Sequence, residues 1–277
     1  MTDTPSPHPV APAPATADEL LEVYDTHLRE GEMLSADSVA QVGPVLVGRY
    51  GRSRGFISYR DLGGLDASGI ADLVAEVVAP LQADPDIHVV EWKTRGHDHA
   101  PGLEDALRRH GLEPQPVESV MLGEASGLIG PLPPEGVTVR RVEDEGGVRA
   151  AEACAHSVFG GPEEDARRIA DELVRRIVSG RGDMQMWVAE AGGEVICAGR
   201  LEVVADSGVA GIWGGATRPA WRRRGVYRAL TAARAASAID QGVRYIHSDS
   251  TEGSRPILER SGLVCVTTTT PHEWRRP

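Results

Sequence analysis

The sequence predicts an α/β protein made of two tandem copies of one unit, and three observations carry that prediction. Strand-like and helix-like runs alternate along the whole chain. A shift of 151 residues lays LRRHGL (Leu107–Leu112) on LERSGL (Leu258–Leu263) and Asp98 on Asp249, and both halves show strand, loop, short helix and Gly-Leu step in that order. Charge divides the chain as well. Residues 1–136 hold 22 acids against 9 bases, whereas residues 137–277 hold 19 against 20.

In chain order, residues 1–16 are Pro/Ala/Thr-rich without periodicity and read as a disordered tail. A helix follows from Ala17 to about Leu28, with Leu20, Leu21 and Tyr24 on one side. PVLVGRYGRSRGFISYRD reads as two strands around a Gly/Arg/Ser turn. Asp66 or Ser68 caps a helix whose apolar stripe is Ile70, Leu73, Val74, Val77 and Val78. His88–Lys93 is a strand and Leu103–Gly111 a helix ended by glycine. Gly123–Gly136, with Pro131, Pro133 and Pro134, reads as a linker. With that linker set at 126–136, the units are 17–125 and 137–277.

The second unit opens with the strand Val137–Val142 and helices around 147–157 and 162–178. Two strands joined at Gly192-Gly193 make a β-hairpin, and Gly208–Thr217 is a further strand. Then come a helix over Gly225–Asp240, a strand over Arg244–Asp249, a helix over Ser254–Gly262 and a last strand pair.

Composition excludes several classes. The net charge of −12 and the acidic first half argue against nucleic acid, which needs a basic face. That half is suited to attract a cationic substrate, to shape the acceptor side of a cleft, or to form a homodimer surface. No apolar run approaches the ~20 residues that cross a bilayer, so no membrane partner is expected. The N-terminus lacks the basic start and apolar stretch of a secretory signal. Cys154, Cys197 and Cys265 lack the close pairing of a zinc or redox site. They read as reduced thiols of a cytoplasmic protein. His97-Asp98-His99 lacks a third ligand at defined spacing and reads as a solvated loop, so no metal is expected.

The most informative stretch is ATRPAWRRRGVYRAL (Ala216–Leu230). A strand ends, proline closes it, three arginines follow, and a glycine opens a helix. The first amides of a helix are unpaired and carry the positive end of its dipole. Gly225 lets the backbone approach a ligand, and Arg222, Arg223 and Arg224 add cationic donors. The combination suits a pyrophosphate. It is neither a P-loop nor a dinucleotide fingerprint.

These residues resemble the GNAT superfamily of N-acetyltransferases. The family signature, Arg/Gln-x-x-Gly-x-Gly/Ala, reads here Arg222-x-x-Gly225-x-Tyr227, after Thr217-Arg-Pro-Ala-Trp221. SRPILERSGL (Ser254–Leu263) is similar to the family's fourth helix and its ending. The resemblance spans Val137 to Trp274 and implies two GNAT-like units, each a mixed, mostly antiparallel sheet flanked by helices. The first is a degenerate copy without the arginine turn. It also implies acetyl-coenzyme A as co-substrate, in a cleft between the splayed strands Gly208–Thr217 and Arg244–Asp249. Pantetheine would pair with Gly215, Ala216 and Thr217. The pyrophosphate would sit on the amides of Arg223, Arg224, Gly225, Val226 and Tyr227, with Arg222 alongside and Ser254 flanking the other side.

Three departures stand out. Tyr227 replaces a small residue, and Leu258 stands where many relatives carry a tyrosine acid. The strand Gly208–Thr217 also lacks the glutamate base of many relatives. Acetyl transfer to an amine requires a neutral nucleophile, so a group must accept a proton. Asp249, ending the cleft strand, is the first candidate as base or amine-binding group. Glu202 is the second, and His247 alternates in register with Asp249. Trp187 and Trp213 read as core or cleft-wall aromatics. The expected function is acetyl transfer from acetyl-coenzyme A to a primary amine of a small molecule, by direct attack in a ternary complex. The alternative is a non-catalytic acyl-coenzyme A-binding or assembly module.

Overall fold

A computed structural model describes residues 15–277 except Glu32, Leu34, Ser35, Pro131, Ser179, Arg181 and Asp183. Most of the expected tail lies outside the described residues. Its last member, Thr16, is a helix cap. The Thr16 side chain accepts from Glu19 N–H and Glu19 reciprocates at the Thr16 N–H, a capping box that starts α1 (Ala17–His27).

The first half continues with β1 (Ser38–Val42), β2 (Val45–Tyr50), β3 (Arg54–Tyr59), α2 (Ala67–Ala83), β4 (Val89–Arg95), α3 (Leu103–Arg109), β5 (Glu113–Pro114) and β6 (Glu118–Glu124). The second half holds β7 (Thr138–Val142), α4 (Glu145–Phe159), α5 (Glu163–Val178), β8 (Met184–Ala191), β9 (Glu194–Val204), β10 (Val209–Thr217), α6 (Val226–Asp240), β11 (Tyr245–Ser250), α7 (Arg255–Glu259) and β12 (Val264–Arg275). The repeat is real at the level of elements: β3-α2-β4-α3 matches β10-α6-β11-α7, and each run contains a parallel strand pair. The ends of α3 and α7 are alike in detail. Gly111 and Gly262 take positive φ of 73° and 93°. The next amide folds back in both, Leu112 N to Leu107 O at 3.0 Å and Leu263 N to Leu258 O at 3.1 Å. The correspondence stops short of the strands. Asp98 lies in the turn beyond β4, whereas Asp249 lies inside β11.

The strands form one continuous mixed sheet in the order β1-β2-β3-β4-β12-β6-β11-β10-β9-β8-β7, with β5 beside β12. The units exchange strands. The first half's β6 pairs along β11, from Tyr245↔Glu124 to Ser250↔Ser119. The last strand, β12, pairs first with β6 and then with β4, from Thr269↔Arg95 to Arg275↔Val89. This corrects two sequence expectations. The C-terminal segment is one long strand rather than a pair, because it changes partner instead of turning. The linker also starts later than Gly123, since Gly123 and Glu124 belong to β6 and Ala125–Leu128 is a short 3-10 helix with Ala125 and Leu128 buried.

Separate cores lie on the two faces of the sheet. The stripe Ile70, Val74 and Val78 of α2 packs on Ile57 and Trp92. On the same side in the second half, α6 and α7 bring Ala235, Ala238 and Leu258 onto Ala210 and Ile246. On the opposite face, α1 places Leu20, Tyr24 and Leu28 over Val120, Leu122 and Val209, and α4 packs Val148 and Ala151 on Val188. Cys154 and Cys197 are free and buried, acting as small hydrophobes, and burial pushes the Cys197 thiol up to about 11.

Candidate active site

β10 and β11 are paired over three residues, Val209–Gly211 against Tyr245–His247, and then separate. Beyond that fork β10 runs on to Thr217 and β11 to Ser250. A bulge between Trp213 and Ala216 turns β10 away, with Gly214 at φ 60°. Gly214 and Gly215 are exposed there, so the β11 side of β10 offers unpaired backbone.

Past Thr217 the chain makes a short 3-10 turn, Pro219–Trp221, and enters α6. Gly225 caps the helix at φ 84° with no side-chain hydrogen bond on its amides. Arg223 holds φ 60°, a conformation that costs a side-chain-bearing residue roughly 1–2 kcal/mol. Arg222, Arg223, Arg224 and Gly225 are all exposed. Arg222 donates Nε to the Thr217 carbonyl at 3.0 Å, which pins the turn and leaves its other donors outward. The Arg224 guanidinium lies 4.7 Å above the Trp221 ring. Tyr227 lies against β10, where a Cβ added to Gly215 would stand 2.6 Å from its ring. A cavity of about 70 Å³ opens between α6 and α7, bounded by Tyr227, Thr231, Leu258 and Ser261. Ser254, at the start of α7, is held by a hydrogen bond to Thr251 O at 3.3 Å.

The equivalent turn of the first half is built differently. There Asp66 caps α2 through its carboxylate, 2.9 Å from Gly69 N, and Asp61 accepts from Gly63 N at 2.8 Å. The Asp66 carboxylate thus occupies the place where an anion would need open amides, and Asp61 holds the turn before it.

On the face away from α6, alternation along β11 lines up Tyr245, His247, Asp249 and Thr251. The side chain of Asp249 is only 5% exposed, and its two oxygens have different partners. Oδ2 accepts from Lys93 Nζ of β4 at 2.7 Å, and Oδ1 meets His247 Nε2 at 3.0 Å. Burial alone would raise the carboxyl pKa, but the Lys93 ammonium and His247 outweigh it and hold the group well below the usual range. His247 lies between two rings, 5.7 Å from Tyr24 and 5.1 Å from Trp213. Trp213 folds back over Gly211, the residue paired with His247. Glu202, across Gly211 on β9, is half-buried and ion-paired with Arg176 of α5 at 3.3 Å and Arg200 at 3.4 Å. Next to Lys93 on this face is a cavity of about 970 Å³, lined among others by Glu91, Glu118, Glu252 and Glu273.

The structure therefore brings the expected phosphate-turn residues together at one end of the fork and places Asp249 and Glu202 on the opposite face. Lys93 and Tyr24 were not anticipated. Both come from the first half, and contacts across 156 and 223 residues leave no local pattern. The one available signal was that Lys93 is the only lysine among 29 bases. The histidine-rich turn is also less solvated than expected, because Asp98 pairs with buried Arg29 at 2.7 Å and His97 bonds Thr267 at 2.7 Å. Among the described residues no cluster of metal-ligating side chains occurs, and no helix is long and apolar enough to cross a membrane.

Residues 135–248 match the family model described as an acetyltransferase (GNAT) domain. A GCN5-related N-acetyltransferase from Kribbella flavida superimposes with a TM-score of 0.66 at 18% identity, over 89% of this chain and 92% of its own. A tandem GNAT protein from the clavulanic acid biosynthesis pathway does so with 0.62 at 13% identity, over 95% and 98%. A conserved protein of unknown function from Staphylococcus epidermidis gives 0.67 at 10%, over 87% and 95%. No curated protein sequence matches the chain. The fold is thus a tandem GNAT fold. The match to the acetyltransferase (GNAT) domain lies in the second unit.

Proposed function

We propose that the protein transfers an acetyl group from acetyl-coenzyme A to the primary amine of a small, cationic molecule, by direct attack in a ternary complex. The observation that carries this reading is the continuity of exposed β10 backbone with an uncapped, arginine-rich helix start. The first-half copy, capped by Asp66, is the internal contrast.

Bound there, acetyl-coenzyme A supplies an acetyl group activated as a thioester. The amides of Arg223, Arg224, Gly225, Val226 and Tyr227 would receive the pyrophosphate, aided by Arg222. Gly215, Ala216 and Thr217 would pair with the pantetheine arm, and Ser254 would close its far side. The fork would then hold the thioester carbonyl near Gly211 and His247. Asp249 and Glu202 are the carboxylates of the opposite face, the proposed acceptor side, where they are ion-paired with Lys93 and with Arg176 and Arg200. The large cavity sets four glutamates against Lys93 and Arg275, a net acidic balance that supports a cationic acceptor. The proposed division into units remains 17–125 and 137–277 about the segment 126–136, with β6 and β12 exchanged between them.

Calorimetric titration with acetyl-coenzyme A tests the reading, on wild type and on Arg222→Ala/Arg224→Ala. Micromolar binding weakened tenfold or more, roughly 1.4 kcal/mol, is the expected result, followed by thiol release in an acceptor screen. Absence of heat in the wild type would overturn it.

A further inference from the structure

His247 has an unusual position. It is the last residue of β11 paired with β10, so it stands at the apex of the fork. It is almost wholly buried, at 3% exposure. Its Nε2 is committed to Asp249, and its Nδ1 is buried with no hydrogen-bond partner. Such an orphan ordinarily costs about 1–3 kcal/mol. A lone pair left open at the one point where two strands part points to a ligand. The surroundings fix the ring: Tyr24 of α1 on one side, Trp213 of β10 on the other, and Leu122 of β6 opposite in register.

Resting on the acetyl-transfer reading above, we infer that His247 is the proton-accepting catalytic residue, that Asp249 is its positioning residue, and that the first unit serves the reaction through Lys93. With Asp249 as an ionised acceptor, the proton of neutral His247 sits on Nε2, and Nδ1 keeps its lone pair. Lys93 holds Asp249 ionised. Asp249 is itself a poor base, because both oxygens are engaged and its proton affinity is depressed.

The step balances as follows. The ammonium form of the acceptor first loses one proton to solvent. The amine nitrogen then forms its bond to the thioester carbonyl carbon, and Nδ1 takes the second proton. The C–S bond breaks with its electron pair on sulfur, and the proton on Nδ1 passes to that sulfur. The products are the acetamide and the free thiol, with His247 neutral again. The charged and titratable groups facing His247 are Asp249 on its own strand, Tyr24 from α1 and, beyond Asp249, Lys93 from β4. Across Gly211 lies Glu202 with Arg176 and Arg200.

The test uses the full ¹⁵N-labelled chain and long-range imidazole spectra, with His247 assigned by its loss in His247→Gln. Nε2 should be protonated and Nδ1 bare. Saturating acetyl-coenzyme A should shift the Nδ1 signal while buried His272, in β12, stays unmoved. Asp249→Asn should release the fixed tautomer, which the same spectra read as a mixture of the two forms. With the first acceptor found by thiol release, His247→Gln should lose at least 100-fold in kcat with cofactor affinity unchanged. Calorimetric binding without any response at His247, or undiminished turnover in His247→Gln, overturns this inference alone. Absence of binding overturns the acetyl-transfer reading and this inference with it.

Discussion

Lys93 of β4 and Asp249 of β11 form a buried ion pair, 2.7 Å long, between strands that lie 156 residues apart in the chain and on either side of β12 and β6. Both side chains are under 10% exposed. A charge so placed is tolerable only while its partner is present. Lys93→Met should therefore destabilise the protein by about 3–5 kcal/mol, read by urea denaturation. Lys93→Met/Asp249→Asn should recover most of that loss. A single variant with unchanged stability would show that the pair is solvated. The pair also sets a pH dependence. Asp249 has a folded pKa below its unfolded value, so its contribution is complete above the ordinary carboxylate range near 4. That contribution is lost as pH falls through the lower folded value. Wild type should thus lose more stability than the double variant on acidification from neutrality to below pH 4.

The two helix starts predict a stoichiometry. Gly225 leaves the amides of α6 open, while Asp66 occupies those of α2. Titration should give one acetyl-coenzyme A per chain. Asp66→Ala should cost about 1 kcal/mol of stability without adding a second site. Two equivalents bound by the wild type would contradict the assignment of a single open turn.

How far the sequence could be read follows from where the information lies. The stripe of α2, the Gly192-Gly193 hairpin and the arginine turn are local patterns, and each folds as the pattern predicts. The exchange of β6 and β12 is not local. TTTTP carries no turn signal strong enough to end a strand, and nothing in it names two successive partners. β1, β5 and β6 were missed because none shows the alternation of a half-buried strand: β1 and β5 are short and mostly exposed, and β6 is buried through its middle on both faces. In the site, Asp249 and His247 were legible as neighbours by their period of two. Their dependence on Lys93 was not, because charge pairing across units has no sequence period.

Strand exchange makes the halves interdependent. Residues 137–277 alone would lack β6 and leave the β11 edge unpaired, with Val209 and Tyr245 uncovered by α1. That fragment is expected to aggregate on expression. A chain ending after Thr268 should lose the first half as well, since Thr269–Arg275 completes the sheet at β4. The intact protein should unfold in one transition by both circular dichroism and tryptophan fluorescence. Two separated transitions, or a soluble folded fragment, would show that the units are independent.

Gly215 and Tyr227 give the sharpest test of the cofactor path, because they meet across the entrance to the fork. A methyl group at position 215 would stand 2.6 Å from the Tyr227 ring and 3.2 Å from its hydroxyl oxygen. The backbone there is not in the left-handed region, so the whole penalty of Gly215→Ala comes from displacing that ring. Tyr227 is half-buried and able to swing outward, so the cost in stability should be small. On the proposed cofactor path, a ring displaced from β10 toward the open amides of α6 would compete with the pyrophosphate. Gly215→Ala should therefore weaken acetyl-coenzyme A binding about tenfold, roughly 1.4 kcal/mol. Gly215→Ala/Tyr227→Ala should bind more tightly than Gly215→Ala, a non-additivity expected of residues in direct contact. Equal affinity in all three proteins would mean that the cofactor does not pass between β10 and α6 at this point.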